Sequence, residues 1–478
     1  MSTINYNISH MNKRYFKTQP MTHQLEAFNL VKDQDYFALF MDMGTGKTKV
    51  TIDDMSYLYL NNKLQFVLVI APNSNYMTWA DEIQTHSIVR TNVYRHKVDK
   101  KFEFKQDRLN YYLINTEAFS HQSGIAKVQS YVQSMRNVMA CVVDESTWIK
   151  NRTAKRTKNI IKLTKGVRYK RILSGFPVTK SPLDLFSQCN FLQTGLLGTD
   201  NFFAFRAAYS LMKPITTITG RVIQEPYKYI NLDKLLNILR GFSYRTRKSE
   251  CLDLPPKIYH TRMVPMTPEQ KRIYSELKDN ARTILQDKEA TYQNRLTEIV
   301  KLHQVANGYV MTDDGKRIDL SSNKINEIFN IIEETDDKII IWSTYVYTIN
   351  KISEALENKY GKKSVVTFYG AVSVKDRHKR VEDFQNNDKV RFFVANPSTG
   401  GIGLTLTAAN TVIYFCNNFN LEQRVQSEDR AHRKGQKKVV NYIDLITENT
   451  IDKYILHALT KKLEISAKTL GEDILDFK

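Results

Sequence analysis

Short apolar runs rich in Val, Ile, Tyr and Phe recur along the chain, separated by longer polar or amphipathic stretches of helical length. A first series comprises YFALF (36–40), FVLVIAP (66–72), YYLINT (111–116), VMACVVDE (138–145) and RILSG (171–175). A second comprises KIIIWST (338–344), SVVTF (364–368), VRFFVAN (390–396), TVIYFC (411–416) and VVNYIDLI (439–446). The runs are continuous rather than alternating, which predicts strands covered on both faces and therefore parallel sheets flanked by helices. Two α/β lobes are expected, over 1–190 and 331–478. From about 190 to 335 the strand rhythm is lost, and NLDKLLNILRGF and the charged stretch from Pro268 place apolar residues at helical spacing. These predict a helical protrusion over 191–250, then a linker and second protrusion over 251–330, with Pro255–Pro256 as a crossing point because proline forbids helix continuation.

Length changes this picture little: 478 residues suit about two to four domains. Charge adds a partner. Lys and Arg number 70 against 50 Asp and Glu, a formal net charge of +20, which favours a polyanion. The four cysteines, Cys141, Cys189, Cys251 and Cys416, lie far apart and form no CxxC pair, so neither a zinc knuckle nor a disulfide framework is signalled. The first residues are polar and no run reaches the length of a membrane span. An intracellular, soluble protein without a membrane partner is expected, cytoplasmic by preference with the nucleus left open.

Directly after the first apolar run stands MDMGTGKT, Met41 to Thr48. A phosphate loop needs glycines that turn backbone N–H groups toward an anion, a lysine for the outer phosphates and a hydroxyl for magnesium. Gly44, Gly46, Lys47 and Thr48 supply all three, although the strict pattern has glycine where this chain has Met41. A strand-to-helix turn in some other α/β protein would look similar. The choice depends on the rest of the chain. After VMACVV comes DESTWIKN, where Asp144 suits a magnesium ligand and Glu145 an orienter of the attacking water. RILSGFPVTKSPLDLFSQ puts Ser174, Gly175 and Pro177 at another strand exit. In NPSTGGIGLTLTAAN, Ser398, Thr399, Gly400 and Gly401 offer hydroxyls and backbone N–H groups to a sugar-phosphate chain. NLEQRVQSEDRAHRKGQ spaces Gln426, Arg430 and Arg433 by four and three residues, which predicts one helical face bearing two guanidiniums able to neutralise a transferring phosphoryl group.

In this order the motifs resemble those of Swi/Snf-type helicase superfamily two ATPases, from about Met21 to about Ala458. MTHQ resembles the glutamine motif and DMGTGKT the phosphate loop, VLVIAPNSNYMTWADEI with its Trp79 and LINTEAF the motifs that follow, and DRAHRKGQ a stretch highly specific to the family. The resemblance implies two RecA-like lobes with ATP and Mg2+ bound in a cleft between them. It assigns Gln24 to adenine, Gly44, Thr45, Gly46, Lys47 and Thr48 to the phosphates, Thr48 and Asp144 to magnesium, and Glu145 to the attacking water. Gln426, Arg430 and Arg433 would complete the nucleotide site. Pro72, Asn73, Thr116, Ser398, Thr399 and Gly400 would contact DNA. The chain departs from the family where Met41 replaces an acidic residue, Thr147 a histidine and Phe176 a threonine.

Three functions follow. The favoured one is an ATP-dependent translocase on duplex DNA that grips phosphates without regard to sequence. A strand-separating DNA or RNA helicase is the alternative, favoured by a wedge hairpin that the sequence does not reveal. A basic DNA-binding module with a degenerate ATPase is the third, and the intact Lys47, Asp144, Glu145 and paired arginines argue against it.

Overall fold

The computed structural model describes residues 14–73, 75–216, 222–286, 292–399 and 404–472. They fall into two compact units. One contains those within 1–209, 229–253 and 469–471, and the other those within 210–228, 254–468 and 472–478.

The first unit is built on strands β1 (Tyr36–Met41), β2 (Phe66–Ala71), β3 (Thr91–Arg95), β4 (Leu109–Asn115), β5 (Met139–Val143) and β6 (Tyr169–Leu173). A two-stranded ribbon, β7 (Ser210–Thr216) and β8 (Val222–Tyr229), then intervenes in the chain before β9 (Ser243–Thr246) completes the sheet. The order is β3-β4-β2-β5-β6-β1-β9, with every pair parallel. Alternate residues of each strand enter different cores. Ala38, Phe40, Leu68, Ile70, Cys141 and Val143 pack on one face, and Leu39, Met41, Val67, Val69, Ala140 and Val142 on the other. Burial on both faces is why these strands read as unbroken apolar runs.

The second unit repeats the plan with β10 (Lys257–Val264), β13 (Lys338–Trp342), β14 (Val365–Phe368), β15 (Phe392–Ala395), β16 (Ala409–Tyr414) and β17 (Val440–Thr447). Their order is β10-β17-β16-β13-β15-β14, again parallel throughout. Ile339, Ile341, Val394 and Ile413 face one core, and Ile340, Trp342, Phe393 and Val412 the other. A short antiparallel pair, β11 (Tyr309–Met311) and β12 (Arg317–Asp319), follows the helix Tyr292–Ala306. The doubly covered parallel sheets are those predicted from the apolar runs.

The stretch from about 190 to 335 is not purely helical, as its lost strand rhythm suggested. It contains helices such as Leu232–Arg240 and Pro268–Gln286, but also β7 through β12. Two of these, β9 and β10, are outer strands of the main sheets, and β3, also unpredicted, is a third. Each is half-exposed, with TNVYR, SYRT and KIYHTRMV mixing polar and apolar residues. An outer strand lacks one neighbour and one reason to be continuously apolar. The fourth outer strand, β14, keeps the apolar sequence VVTF and was legible.

Candidate nucleotide site and arginine motif

Because all seven strands of the first sheet run the same way, the segments after β1, β2, β4, β5, β6 and β9 emerge at one edge, where ligands bind in open α/β sheets. The loop after β1 turns into the helix Lys47–Leu60 through Gly44 at φ 78° and Gly46 at φ 92°. Both lie in the left-handed region that glycine enters without steric cost. A Cβ on Gly46 would stand 2.2 Å from Gln24 Nε2. That amide donates to the Thr45 carbonyl at 3.0 Å, and a His23 ring nitrogen lies 2.8 Å from the same oxygen. Gln24 and His23 thus fasten the helix Thr22–Val31 to the loop. Lys47 is buried and its Nζ donates to the carbonyls of Met41 at 2.9 Å and Asp42 at 3.2 Å. Thr48 follows it in the first turn, half-buried.

Asp144 leaves β5 with its N–H bonded to the Ile70 carbonyl at 2.8 Å. Its carboxylate accepts from Trp79 Nε1 at 3.0 Å and from the Glu145 N–H at 2.9 Å. Burial pushes this carboxyl up, while the bonds from Trp79, Glu145 and Asn75 and the nearby charge of Lys47 pull in the opposite direction. A divalent cation beside it would relieve the same burial penalty. Glu145 has φ 49°, a left-handed conformation that costs a residue with a Cβ of order 1–3 kcal/mol and marks functional sites. Beyond it, Ser146 Oγ donates to Gln188 Oε1 at 2.7 Å, and Gln188 Nε2 to the Pro177 carbonyl at 2.9 Å. The DESTW turn is therefore tied to the segment after β6. Gly175 closes the arrangement, since a Cβ there would sit 3.1 Å from both the Met43 backbone N and its side chain. Thr147 and Phe176 are both buried in this packing.

Of the residues expected at DNA, Asn73 is exposed and accepts from Asn115 Nδ2 at 2.5 Å, while the Pro72 carbonyl accepts from the Asn75 and Tyr76 N–H groups. Thr116 is fully buried, so its hydroxyl does not reach the surface. In the second unit, Asn396 Oδ1 accepts from the Ser398 N–H at 2.8 Å and its hydroxyl at 2.6 Å, and the Thr399 N–H bonds to the Asn396 carbonyl. Gly400 and Gly401 lie outside the described residues.

The arginine motif corrects the sequence reading. Gln426 lies in the helix Leu421–Glu428, but Arg430 and Arg433 fall beyond its end, so the three do not share a helical face. The backbone bonding changes after Glu428. The N–H groups of Arg430 and Ala431 turn back to carbonyls three residues before them, and the Arg430 carbonyl accepts from the Leu406 N–H at 2.9 Å. Gln436 Nε2 holds the resulting turn through the carbonyls of Ala409 and Ala431. Gly435, at φ 103°, supplies a bend that a helix could not. Arg433 Nη1 donates to the Leu404 carbonyl at 2.8 Å, and burial lowers the affinity of this guanidinium for its proton.

Sequence reasoning missed the residue on which this turn rests. Arg424 is buried, bonding Glu428 Oε1 at 2.8 Å and Asp444 Oδ2 at 3.0 Å, with its guanidinium 3.5 Å above the centre of the Tyr414 ring. Burial favours a neutral Glu428, but Lys257 and Arg424 hold its carboxyl below the usual range. The available signal was Asp444, an acid inside the apolar run VVNYIDLI that required a partner.

Residues 23–311 match the SNF2-related domain and residues 323–435 the helicase conserved C-terminal domain. The chain is 27% identical over 460 residues to an uncharacterized ATP-dependent helicase of Mycoplasma genitalium, an alignment covering 94% of this chain and 42% of that protein. It is 24% identical over 486 residues to the ATP-dependent helicase fft1 of Schizosaccharomyces pombe, covering 89% of this chain and 50% of that one. The chain thus spans half or less of the length of these curated relatives. The SWI2/SNF2 ATPase core of Sulfolobus solfataricus, solved in complex with dsDNA, is 26% identical, with 96% of this chain and 94% of that chain covered and a TM-score of 0.44. With the SNF2-related match alone running from residue 23 to residue 311, well over half of the sequence, the chain belongs to the SNF2-related family.

Proposed function

We propose that this chain is an ATP-driven motor that travels along duplex DNA without separating its strands. The observation that carries the proposal is the grouping at one edge of the first sheet: a glycine loop opening into a helix, a buried Lys47 whose charge acts on a buried Asp144, and a strained Glu145 beside it. Family membership and the net charge of +20 support the same reading.

ATP would supply the transferable phosphoryl group, with Mg2+ spreading its charge. Lys47 would turn from the loop carbonyls to the outer phosphates, Thr48 and Asp144 would hold the magnesium, and Glu145 would orient water. Gln24, already against the loop, would recognise adenine, and the N–H groups around Gly44 and Gly46 would cradle phosphate. Gln426, Arg430 and Arg433 are assigned to the nucleotide by resemblance, the two arginines as neutralisers of developing charge. The segments at Pro72–Asn73 and Ser398–Thr399 are proposed to grip DNA phosphates through backbone and hydroxyl groups, which gives no sequence preference.

A strand-separating helicase remains the second reading because of one feature, the β7–β8 ribbon, on which Val222, Ile223 and Tyr227 are exposed and available as a wedge. Two assays on one preparation separate the readings. Displacement of a third strand from a triplex, with little separation of a forked duplex, supports the duplex motor. Efficient fork separation without triplex displacement overturns it in favour of the helicase.

A further inference from the structure

The first unit contains a second, chemically distinct feature at the opposite edge of its sheet. A groove of about 1140 Å³ opens beside Asp35 and Tyr36, where β1 begins, and Arg168, just before β6. Since β1 and β6 are parallel, this edge is the far one from the loop at Asp42–Gly46, and the groove is separate from the candidate nucleotide site.

Its walls are basic. Arg152, Lys158, Lys162, Lys165, Arg168 and Lys170 face Asp35 and Asp200, an excess of four positive charges, six minus two. Arg168 pairs with Asp35 at 3.2 Å, and Lys170 is buried with its Nζ donating to the Phe191 carbonyl at 3.0 Å. Lys158, Lys162 and Lys165 are exposed and have no ion pair among the described residues. Lys158 and Lys162 stand four apart on the helix Lys155–Leu163, a spacing at which like charges repel. The fold gains nothing from that repulsion. A polyanion in the groove would relieve it.

An aromatic platform adjoins the lysines. Phe203 is 57% exposed, a large apolar surface left to water at a groove rim. Two guanidiniums lie near it, Arg152 at 5.3 Å and Arg206 at 5.2 Å from the ring centre, and Arg152 also lies 4.3 Å from the ring of Phe202. A cationic track beside an exposed ring is the arrangement by which proteins hold single strands, the backbone on the charges and a base on the ring. A duplex keeps its base faces stacked inside and offers none to Phe203.

We propose that this groove binds single-stranded nucleic acid, with phosphodiesters along Lys158, Lys162 and Lys165 and a base stacked on Phe203. The proposal is independent of whether the motor separates strands, and its test uses no ATP. Binding of a labelled oligothymidylate to the full chain is measured across a salt series, with and without saturating unlabelled duplex. The wild-type protein should retain oligothymidylate binding under saturating duplex. Replacing the three lysines together (Lys158→Gln, Lys162→Gln, Lys165→Gln) should weaken it by about tenfold or more and reduce the salt slope by about 2. Phe203→Ala should weaken it about tenfold with the slope unchanged, and neither variant should lose duplex binding. All four side chains are exposed, so the fold should persist, and an unchanged melting temperature checks this. Complete displacement by duplex, or wild-type affinity in both variants, would overturn the proposal. Equal competition by polyglutamate together with no effect of Phe203→Ala would assign the groove to an acidic protein segment instead.

Discussion

The carboxylate of Asp42 lies 2.9 Å from the guanidinium of Arg245 and also accepts the Lys248 N–H at 3.0 Å. The loop after β1 is thereby fastened to residues some two hundred positions later in the chain, on β9 and the short helix Lys248–Cys251. Arg245 extends the connection to the carbonyls of Phe40 at 3.1 Å and Gly175 at 3.2 Å. The pair is partly exposed and should add no more than about 1 kcal/mol to stability. Its effect should lie in the geometry of the loop that carries Lys47. Asp42→Asn and Arg245→Met are each expected to slow ATP hydrolysis by about ten to a hundredfold with little change in melting temperature. The double variant should be hardly worse than either single one, and strictly multiplicative losses would show that the two act separately.

Lys47→Ala or Glu145→Gln should abolish hydrolysis while leaving nucleic-acid binding largely intact, because the polymer is proposed to be held by its phosphates elsewhere. Turnover of the purified variants decides this, and a rate within a few-fold of wild type in either one would remove that residue from its proposed role.

Arg433→Ala should reduce turnover by on the order of a thousandfold if the arginine neutralises the transferring phosphoryl group. ATP affinity should fall much less. Since Arg433 also donates to the Leu404 carbonyl, Arg433→Lys serves as the companion variant, keeping a charge and a donor while losing the planar fork. Normal hydrolysis in Arg433→Ala would make the residue a local brace alone.

Arg424→Met should destabilise the second unit by about 3–5 kcal/mol, because it leaves Asp444 and Glu428 buried without their shared cation. Denaturant unfolding measures the loss. A change below about 1 kcal/mol would mean that water or Lys257 compensates fully.

Acid should weaken the same unit through His303. Burial, with Lys324 adding to it and Asp452 opposing, lowers this imidazole from 6.5 to about 4. Between those values the unfolded chain binds a proton that the folded one refuses, so stability is full above 6.5 and falls as pH drops toward 4, by about 3 kcal/mol in all. Denaturant midpoints across that interval should show the slope, and His303→Gln should flatten it.

The central strands and the phosphate loop could be read from sequence because their causes are local or fully buried. Val67 through Ala71 enter two cores by turns and must all be apolar, and Gly44 and Gly46 announce a left-handed turn within three residues. The outer strands β3, β9 and β10 could not be read, since half-exposure permits residues such as Asn92, Arg245 and His260. Spacing alone made Gln426, Arg430 and Arg433 a helical face, yet the helix stops at Glu428, where the Arg430 and Ala431 N–H groups turn back to Ser427 and Glu428, and the turn that follows is tied to Leu406, distant in sequence. The Asp42–Arg245 pair and the Arg424 cluster likewise depend on partners that only the fold brings near.

The position of β9 governs how the first unit can be produced. β1 pairs with β6 on one side and, through Ala38–Met41, with Ser243–Thr246 on the other. During synthesis that second side stays open until the ribbon and the helix Leu232–Arg240 have been made. A fragment ending at Tyr209 would display the backbone of Phe37–Met41, buried in the full chain, as a flat apolar edge ready to pair with further copies of itself. A soluble preparation of the first unit therefore requires the return segment 229–253, joined by a linker in place of the ribbon.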